Sequence, residues 1–357
     1  MKVNNHCRVT VKDFGSIGKP PFFLDRGLRL GENAGVERPP RSAALSRQER
    51  KMQRKQINRI LSRPAPALLV LCALAVALAF GACDKSITGS SDGGGNYAVV
   101  VGIANYRVPS FNLRYADDDA LDYFNALIQG SNWDPSRITV LLNGAATRDA
   151  IISAINNVGG SLSSGDKFVF YFSGHGTKGP DIDPIDEPDG LDEYIVPHDA
   201  LSNSPANDIR DDELEIIIGS LPTSNVLCVF DSSFSGGIIK SRLAPSGRVK
   251  YIDRGIPAVA QGNSVDGLFK DLDAVPGIIT QTASASNESP LESNVLRNGV
   301  FTYYLVEGMA GPANPNGPTI TAQEAFSYAA PRSTAFFSGM HPQQRDNRGS
   351  PFTIIVK

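Results

Sequence analysis

Cysteine, tryptophan and histidine are scarce in this chain, whose 357 residues include four cysteines, one tryptophan and four histidines. Cys7, Cys72 and Cys83 lie near the N-terminus, so Cys228 is the one cysteine in the long C-terminal part. A disulfide within the C-terminal part is therefore excluded, and the stability of that part has to come from a packed core.

Basic residues are also scarce in most of the chain, and the overall net charge of only −3 conceals this. Of the 34 basic and 37 acidic residues, 15 and 5 fall within residues 1–82, which leaves 19 basic and 32 acidic residues from Cys83 onward. Nucleic-acid binding requires basic side chains opposite the phosphates, so this acidic part argues against a nucleic-acid partner. It is compatible with cations or with basic substrates.

The apolar run LLVLCALAVALAF (68–80) has 13 residues, whereas a membrane-spanning helix needs about 20. It follows the basic stretch MQRKQINRILSRPAPA (52–67) and precedes GAC, which ends at Cys83. This order is typical of a secretory signal, and the small residues before Cys83 resemble a bacterial lipoprotein signal. An uncleaved anchor helix, or a plain signal with an incidental cysteine, is the alternative, and Phe80 stands where such signals usually have Leu.

We therefore expect residues 52–82 to be a signal peptide and Cys83 to be lipidated. The protein would then be exported and lipid-anchored to a membrane of the bacterial cell envelope, on its periplasmic or surface side. Residues 1–51 are too long for the charged start of such a signal, so we expect Met52 to be the true start. The Gly- and Ser-rich stretch 83–96 predicts a flexible linker, and residues 97–357 form the predicted folded domain.

Within 97–357, short strand-like apolar runs alternate with helical patterns. The strand-like runs are 97–103, 138–143, 167–174, 225–231, 277–283 and 351–357, and the helical patterns are 116–129, 147–158, 211–221 and 300–310. Near-continuous apolar strands separated by amphipathic helices predict one α/β domain, with a mostly parallel twisted sheet and helices on both faces. We expect the polar stretch 238–275 to be a long surface loop.

Two strand-like runs end in polar turns, FYFSGHG at His175 and FDSSFSGG at Ser233. Ligands of open α/β sheets bind beyond the carboxyl ends of the strands, so the two turns are expected to form one site. The glycines beside His175 free backbone N–H groups for an anion, and an imidazole with an ordinary pKa near 6.5 suits a general base. A turn histidine without a partner is the alternative.

These segments resemble a known family. FVFYFSGHGT, DEPDGLDEYIVPHD, IRDDEL and VFDSSFSGG follow the order and spacing of caspase-like peptidases, and look most like the metacaspase and bacterial caspase-homologue branch. GIITQTASASNESPLE and GVFTYYLVEGM resemble the smaller C-terminal half of that domain. The resemblance covers about residues 97–357, and it implies a caspase-like three-layer sandwich and a cysteine-type endopeptidase that requires no cofactor.

By the same resemblance, His175 is the base, and the backbone N–H groups of Gly176 and Ser233 hold the oxyanion. The family's nucleophile is the cysteine of an Asp-Ser-Cys turn, where this chain has a serine, Ser233. Cys228 lies five residues earlier in an apolar strand, where a small buried hydrophobic residue is the usual interpretation. A serine hydroxyl depends on a well-oriented base, so we expect an inactive or very weak enzyme. Slow serine-based turnover and an altered Cys→Ser copy are the alternatives.

The resemblance further implies peptide or protein substrates cleaved after Arg or Lys, held by two acidic residues. Asp231 is one of them, and the loose match LRYADDDA (113–120) makes Asp119 the other. Acids that complement a helix dipole are the alternative explanation for Asp119. If hydrolysis is lost, the same pocket would make the chain a non-catalytic module that binds basic peptides or has a regulatory role.

Calcium is the one cofactor that the acidic residues could bind. The stretch from Asp181 to Asp192, together with Asp211 and Asp212, offers the oxygen ligands that calcium prefers, and several metacaspases are activated by calcium. However, Lys240 stands where those proteins carry a further Asp, and the spacing is not that of an EF-hand loop. A solvated acidic loop is the alternative.

Overall fold

The computed structural model describes residues 94–182, 190–233, 248–254, 272, 275–285 and 288–357. The predicted N-terminal extension, the signal peptide, Cys83 and most of the linker lie outside these residues, so the lipoprotein prediction stays a prediction. No helix in the described ranges has both the length and the apolar character needed to cross a bilayer.

The described ranges contain strands and α-helices whose bounds are as follows. The strands are β1 (Asn96–Gly102), β2 (Ile138–Leu142), β3 (Lys167–Ser173), β4 (Gly176–Pro180), β5 (Leu191–Ile195), β6 (Ile209–Arg210), β7 (Val226–Asp231), β8 (Arg248–Val249), β9 (Ile278–Thr282), β10 (Leu291–Ser293), β11 (Asn298–Gly299), β12 (Thr319–Thr321), β13 (Gln343–Asp346) and β14 (Thr353–Val356). The helices are α1 (Ala116–Gln129), α2 (Arg148–Gly159), α3 (Asp211–Gly219), α4 (Val300–Met309) and α5 (Ala322–Phe336).

A six-stranded sheet with the order β13-β9-β7-β3-β1-β2 forms the centre of the domain. All neighbouring strands are parallel except β13, which is antiparallel to β9 at the edge. Two further sheets of three strands have the orders β4-β5-β6 and β11-β10-β8, and β12 pairs with β14. The mostly parallel sheet that the sequence predicts is therefore confirmed.

The central strands are apolar throughout because both faces of the sheet are covered. In β3, Phe168, Phe170 and Phe172 point to one face, while Val169 and Tyr171 point to the other, and all five are fully buried. Residues of α1, α4 and α5 pack with Val169 and Tyr171, and residues of α2 and α3 pack on the phenylalanine side. The result is the three-layer sandwich that the caspase-like resemblance implies.

The expectation of a surface loop over 238–275 is wrong for the residues that the structure describes there. Arg248 and Val249 form β8, which pairs antiparallel with β10. Lys250 is fully buried and Ile252 is only 5% exposed. The polar composition of this stretch suggested exposure, because a lysine side chain is seldom buried unless it is paired with an opposite charge. The acids that pair with Lys250 are far away in the sequence, so no local pattern indicates its burial.

Candidate active site

The carboxyl ends of β3 and β7 lie side by side, with Ser173 opposite Asp231 in the parallel register. His175 follows β3 by two residues, and Ser233 follows β7 by two. The sheet therefore brings the two predicted turns to one edge, because adjacent parallel strands end at the same side.

The backbone and the ring of His175 are both held in place. Its N–H donates to the Tyr106 hydroxyl at 2.8 Å, and its Nε2 lies 2.7 Å from the carbonyl oxygen of Phe111. A carbonyl can only accept, so Nε2 carries the ring proton and Nδ1 keeps a lone pair. In the described part of the chain, Nδ1 has no hydrogen-bond partner. Burial lowers the pKa of His175 to about 4, so the ring is a neutral base at pH 7.

Two backbone N–H groups converge on one carbonyl oxygen beside this histidine. Gly176 N and Ser233 N donate to the oxygen of Lys250 at 3.2 and 3.1 Å. A Cβ on Gly176 would lie 2.0 Å from the carbonyl oxygen of Ser233, so only glycine allows this approach. The two groups named from the sequence as an oxyanion site are thus directed at a single peptide oxygen, which is the arrangement that stabilises developing negative charge.

The Ser233 hydroxyl is fully buried, and it hydrogen-bonds to groups other than the His175 ring. Its Oγ donates to the carbonyl oxygen of Glu288 at 3.0 Å and lies 3.1 Å from Ser289 Oγ. Since His175 Nδ1 makes no hydrogen bond in the described ranges, Ser233 and Nδ1 do not form the nucleophile–base bond of a serine hydrolase.

Asp119 and Asp231 face each other across a buried ammonium group. Lys250 Nζ lies 2.8 Å from Asp119 Oδ2 and 2.9 Å from Asp231 Oδ1, and all three side chains are 0% exposed. Nζ also donates to Ser173 Oγ at 2.9 Å. The two acids predicted as a basic-residue pocket therefore hold a lysine of the same chain, in contact distances typical of charge-assisted pairs.

The carboxylates of this pocket are fixed by the start of helix α4. Asp119 Oδ1 accepts the N–H of Gly299 at 2.7 Å, while Asp231 Oδ2 accepts the Thr302 hydroxyl at 2.6 Å and its N–H at 3.2 Å. A Cβ on Gly299 would lie 2.2 Å from Asp231 Oδ2 and 2.6 Å from Lys250 Nζ. A side chain at position 299 would thus occupy the space of the pocket itself.

A third buried carboxylate, that of Glu292 on β10, lies nearby. It accepts the N–H groups of Arg114 and Tyr115 at 2.8 and 2.7 Å, and so fixes the residues that lead into α1 and Asp119. Burial raises the pKa of Asp119 to about 7, and it also raises the pKa of Glu292. The Lys250 ammonium offsets only part of this effect, because three carboxylates lie near one cation. Burial alone would lower the pKa of Lys250, but Asp119 and Asp231 outweigh it, and the lysine stays charged.

Sequence reasoning missed several residues of this site. Lys250 lies outside the quoted segments, whereas Glu292, Gly299 and Thr302 lie within segments that were quoted only for the overall resemblance and given no role. All four reach the pocket through tertiary contacts. Ser173 could have been found, since it begins the SGHG motif and its hydroxyl donates to Asp119 Oδ2 at 2.8 Å.

Two of the acidic residues considered for calcium, Asp192 and Asp212, lie beside an arginine. Arg210 Nη1 lies 3.3 Å from Asp192 Oδ2 and 3.4 Å from Asp212 Oδ2, and Asp211 Oδ2 accepts the N–H of Glu193 at 3.2 Å. In the ranges described, no group of three or more His, Cys, Asp or Glu residues is arranged to hold a metal ion. The acids between 183 and 189 lie outside those ranges. Calcium binding by Asp192, Asp211 and Asp212 therefore stays a prediction.

A peptide carbonyl held by two N–H groups beside a neutral histidine is the geometry that peptide-bond hydrolysis requires. On a parallel sheet covered by helices on both faces, it is the arrangement that the caspase-like resemblance implies. Comparison with known families makes this more specific. Residues 97–242 match the family model described as metacaspase, peptidase C14 domain.

Curated proteins that are similar to this chain include metacaspases. Metacaspase-4 from Arabidopsis thaliana is 32% identical over 148 residues, which are 40% of this chain and 34% of the relative. Metacaspase-1 from Saccharomyces cerevisiae strain S288c is 31% identical over 150 residues, with the same two shares. The chain thus spans about a third of the length of these relatives.

Among solved structures, a protein from Geobacter sulfurreducens aligns at 19% identity and a TM-score of 0.49, covering 70% of this chain and 92% of its own. The fold class rests on the sheet order and the two helical layers described above, since similarity at this level carries no argument.

Proposed function

We propose that this chain is a caspase-like domain that binds Lys or Arg side chains between Asp119 and Asp231. It would present the following peptide bond to His175, and hydrolyse that bond very weakly or not at all because Ser233 stands where the family has a thiol. The observation that carries this proposal is the position of Lys250, whose side chain and carbonyl occupy the two halves of the site together.

The contacts of Lys250 support a substrate-binding role for the pocket. Its ammonium lies between two carboxylates, at 2.8 and 2.9 Å, while its carbonyl oxygen accepts the N–H groups of Gly176 and Ser233. A substrate residue before a scissile bond has to satisfy both conditions at once, with its side chain recognised and its carbonyl polarised. The bond that the site would cut is therefore the one between Lys250 and Tyr251.

Two observations support weak or absent hydrolysis. Among the described residues, the Ser233 hydroxyl donates to the Glu288 carbonyl and forms no bond with His175 Nδ1, so this histidine is not positioned to take its proton. A base whose pKa is about 4 is also poorly matched to a hydroxyl, which is almost never ionised near neutral pH. A thiol depends less on the base, because a few per cent of it is already thiolate at about pH 7.

The decisive experiment is Ser233→Cys in the full chain. The thiolate would attack the Lys250 carbonyl carbon, the amine of Tyr251 would leave with a proton passed through His175, and water would hydrolyse the thioester. Intact-mass spectrometry should then show a fragment that begins at Tyr251. The matched control is the same variant with His175→Ala, which should stay whole. A folded Ser233→Cys chain that remains uncut would contradict the proposed geometry.

A second candidate function is a non-catalytic module that holds basic segments, and the bond from Ser233 to Glu288 favours it. The parent chain should release no fluorophore from Lys or Arg peptide substrates, with or without added calcium. Turnover that disappears in both His175→Ala and Ser233→Ala would exclude this alternative and establish serine-based chemistry.

The envelope anchor is a separate part of the proposal, supported by the order of residues 52–83 alone. Labelled fatty acid should be incorporated by the parent chain expressed in a bacterium. Cys83→Ala should abolish the label, and Cys228→Ala is the matched control that should retain it. Equal labelling of the parent and the Cys83 variant would refute lipidation at this residue.

A further inference from the structure

Residues Arg248–Arg254 cross the site as an extended strand bound on both sides of the Lys250–Tyr251 bond. On the N-terminal side, Val249 pairs with Leu291 of β10, and the N–H of Lys250 donates to the carbonyl oxygen of Pro290 at 3.3 Å. These contacts use the backbone, so they favour an extended peptide of almost any sequence.

The C-terminal side of the segment is bound by β4. Tyr251 forms a parallel bridge with Gly176, and the N–H of Ile252 donates to the carbonyl oxygen of Gly176 at 3.0 Å. The Thr177 hydroxyl donates to the carbonyl oxygen of Ile252 at 2.8 Å. The site therefore extends beyond the scissile position, along the residues that would leave with the new amine.

Side chains of this segment alternate between the protein and solvent. Lys250 and Ile252 are 0% and 5% exposed, and the Arg254 side chain is 1% exposed. Asp253, between the last two, is exposed, and Tyr251 is half-buried. A strand directs every second residue to the same face, so Lys250, Ile252 and Arg254 enter the protein together.

Arg254 approaches one further buried carboxylate, at a distance typical of an ion pair and without hydrogen-bond geometry. Its Nη2 lies 2.7 Å from Asp208 Oδ2, and the Asp208 side chain is 0% exposed. The backbone N–H of Asp208 donates to the carbonyl oxygen of Pro205 at 2.7 Å, in the turn before β6. A buried ion pair contributes little net stability because both groups lose their hydration, but removal of one partner leaves the other charge buried and uncompensated. Asp208 therefore disfavours a residue without a positive charge at this position.

We infer that the site reads three side chains on one face of an extended peptide, with Asp208 as a specificity-determining residue for an arginine four positions after the residue in the Asp119–Asp231 pocket. The substrate class is then a peptide with a basic residue, an apolar residue two positions later and an arginine four positions later. Lys250, Ile252 and Arg254 are the instance that the chain itself contains. This inference rests on the proposed function and adds the part of the peptide beyond the scissile bond.

A first test measures how firmly the segment is held in the intact chain at pH 8. Trypsin can cut after Lys250 only when the segment leaves the site, because Lys250 is fully buried. Asp208→Asn and Arg254→Ala should each raise the initial rate of this cut about tenfold, and the double variant should add little more. Asp253→Asn, at the exposed neighbour, is the matched control and should stay within about twofold of the parent.

Rates that match the parent in both single variants would overturn the Asp208 subsite. Thermal unfolding of each variant distinguishes local release from global loss of structure. Arg254→Lys provides a second variant that keeps the charge, and its rate should fall between those of the parent and Arg254→Ala.

A second test measures recognition of a free peptide. A labelled peptide with the sequence Arg-Val-Lys-Tyr-Ile-Asp-Arg is titrated into the chain carrying Lys250→Ala and Arg254→Ala, which weakens the internal competitor. Fluorescence anisotropy should show about tenfold weaker binding when the last arginine of the peptide is alanine. Adding Asp208→Asn to the chain should make the two peptides equal.

The outcomes separate the two proposals. Replacing the peptide lysine by alanine should abolish binding, and unchanged binding would refute the proposed function of the Asp119–Asp231 pocket. Unchanged binding after loss of the last arginine would refute the Asp208 subsite alone. If no peptide binds, the proposed function fails for free peptides, and the trypsin rates decide the Asp208 subsite.

Discussion

Lys250→Met tests whether the buried ammonium balances the carboxylates of the pocket. Methionine keeps an unbranched side chain and removes the charge, which leaves the carboxylates of Asp119 and Asp231 out of water without a cation. Both are 0% exposed, and burial already raises the pKa of Asp119 to about 7 with Lys250 in place. We expect the variant to fold and to be less stable, by an amount that depends strongly on pH.

The size of the loss follows from the cost of keeping a buried carboxyl neutral. Such a group binds a proton more tightly when folded, so its contribution to stability falls as pH rises through its folded pKa. The cost is about 1.4 kcal/mol for each pH unit above an unfolded pKa of about 3.9, hence about 1.5 kcal/mol at pH 5 and at most about 5.6 kcal/mol at pH 8. Breaking a buried ion pair costs about 3–5 kcal/mol. Asp119 already carries this cost in the parent up to its pKa of about 7, so the loss at pH 5 comes from one further carboxyl and is about 1.5 kcal/mol, whereas at pH 8 we expect about 3–5 kcal/mol.

The assay is denaturant unfolding of the parent and of Lys250→Met at both pH values, with the free energy of unfolding extrapolated to water. Lys357→Met, at an exposed lysine, is the matched control and should change stability by less than about 0.5 kcal/mol at either pH. A loss for Lys250→Met that is the same at pH 5 and pH 8 would refute the reasoning, because it would show that the carboxylates regain water or another cation.

Two further substitutions test the walls of the pocket. Gly299→Ala places a Cβ 2.2 Å from Asp231 Oδ2 and should lower the unfolding free energy by about 1–3 kcal/mol, whereas Gly165→Ala, with nothing within 4 Å of the new Cβ, should be close to neutral. Thermal unfolding of the two variants would contradict this if their midpoints shifted equally. Thr302→Val removes the 2.6 Å hydrogen bonds to Asp231 Oδ2 and to the Tyr171 hydroxyl, and together these losses should cost about 1.5–3 kcal/mol. Thr280→Val, at a buried hydroxyl that has no hydrogen-bond partner within the described ranges, should be neutral or stabilising, and an equal loss in both valine variants would refute the assigned role of Thr302.

Much of the fold could be predicted because each central strand is buried on both faces. The predicted helix 116–129 has the bounds of α1, and the predicted strand at 225–231 begins one residue before β7. Helix α5 was missed because Pro331 lies inside it, and proline usually ends a helix. Strand β13 was missed because its sequence, QQRD, is polar, as suits a sheet edge that faces solvent.

The candidate site was predictable only where its residues follow the strands. The turns after β3 and β7 supplied His175 and Ser233, and the resemblance supplied the two pocket acids. The buried lysine could not be predicted, because Lys250 and Asp119 are 131 positions apart and only tertiary packing pairs them. The contact of Ser233 with the Glu288 carbonyl spans 55 positions and depends on the chain path, so no local pattern indicates it.

The segment Arg248–Arg254 belongs to the same chain as the site that it fills, so its competition with free peptides is set by its effective concentration. For a short connection within one chain, such a concentration is on the order of millimolar. A free peptide making the same contacts would need a similar concentration to occupy half of the sites. The parent protein should therefore be saturated by its own sequence, and micromolar ligands should reach the pocket only after that segment has been cut or displaced.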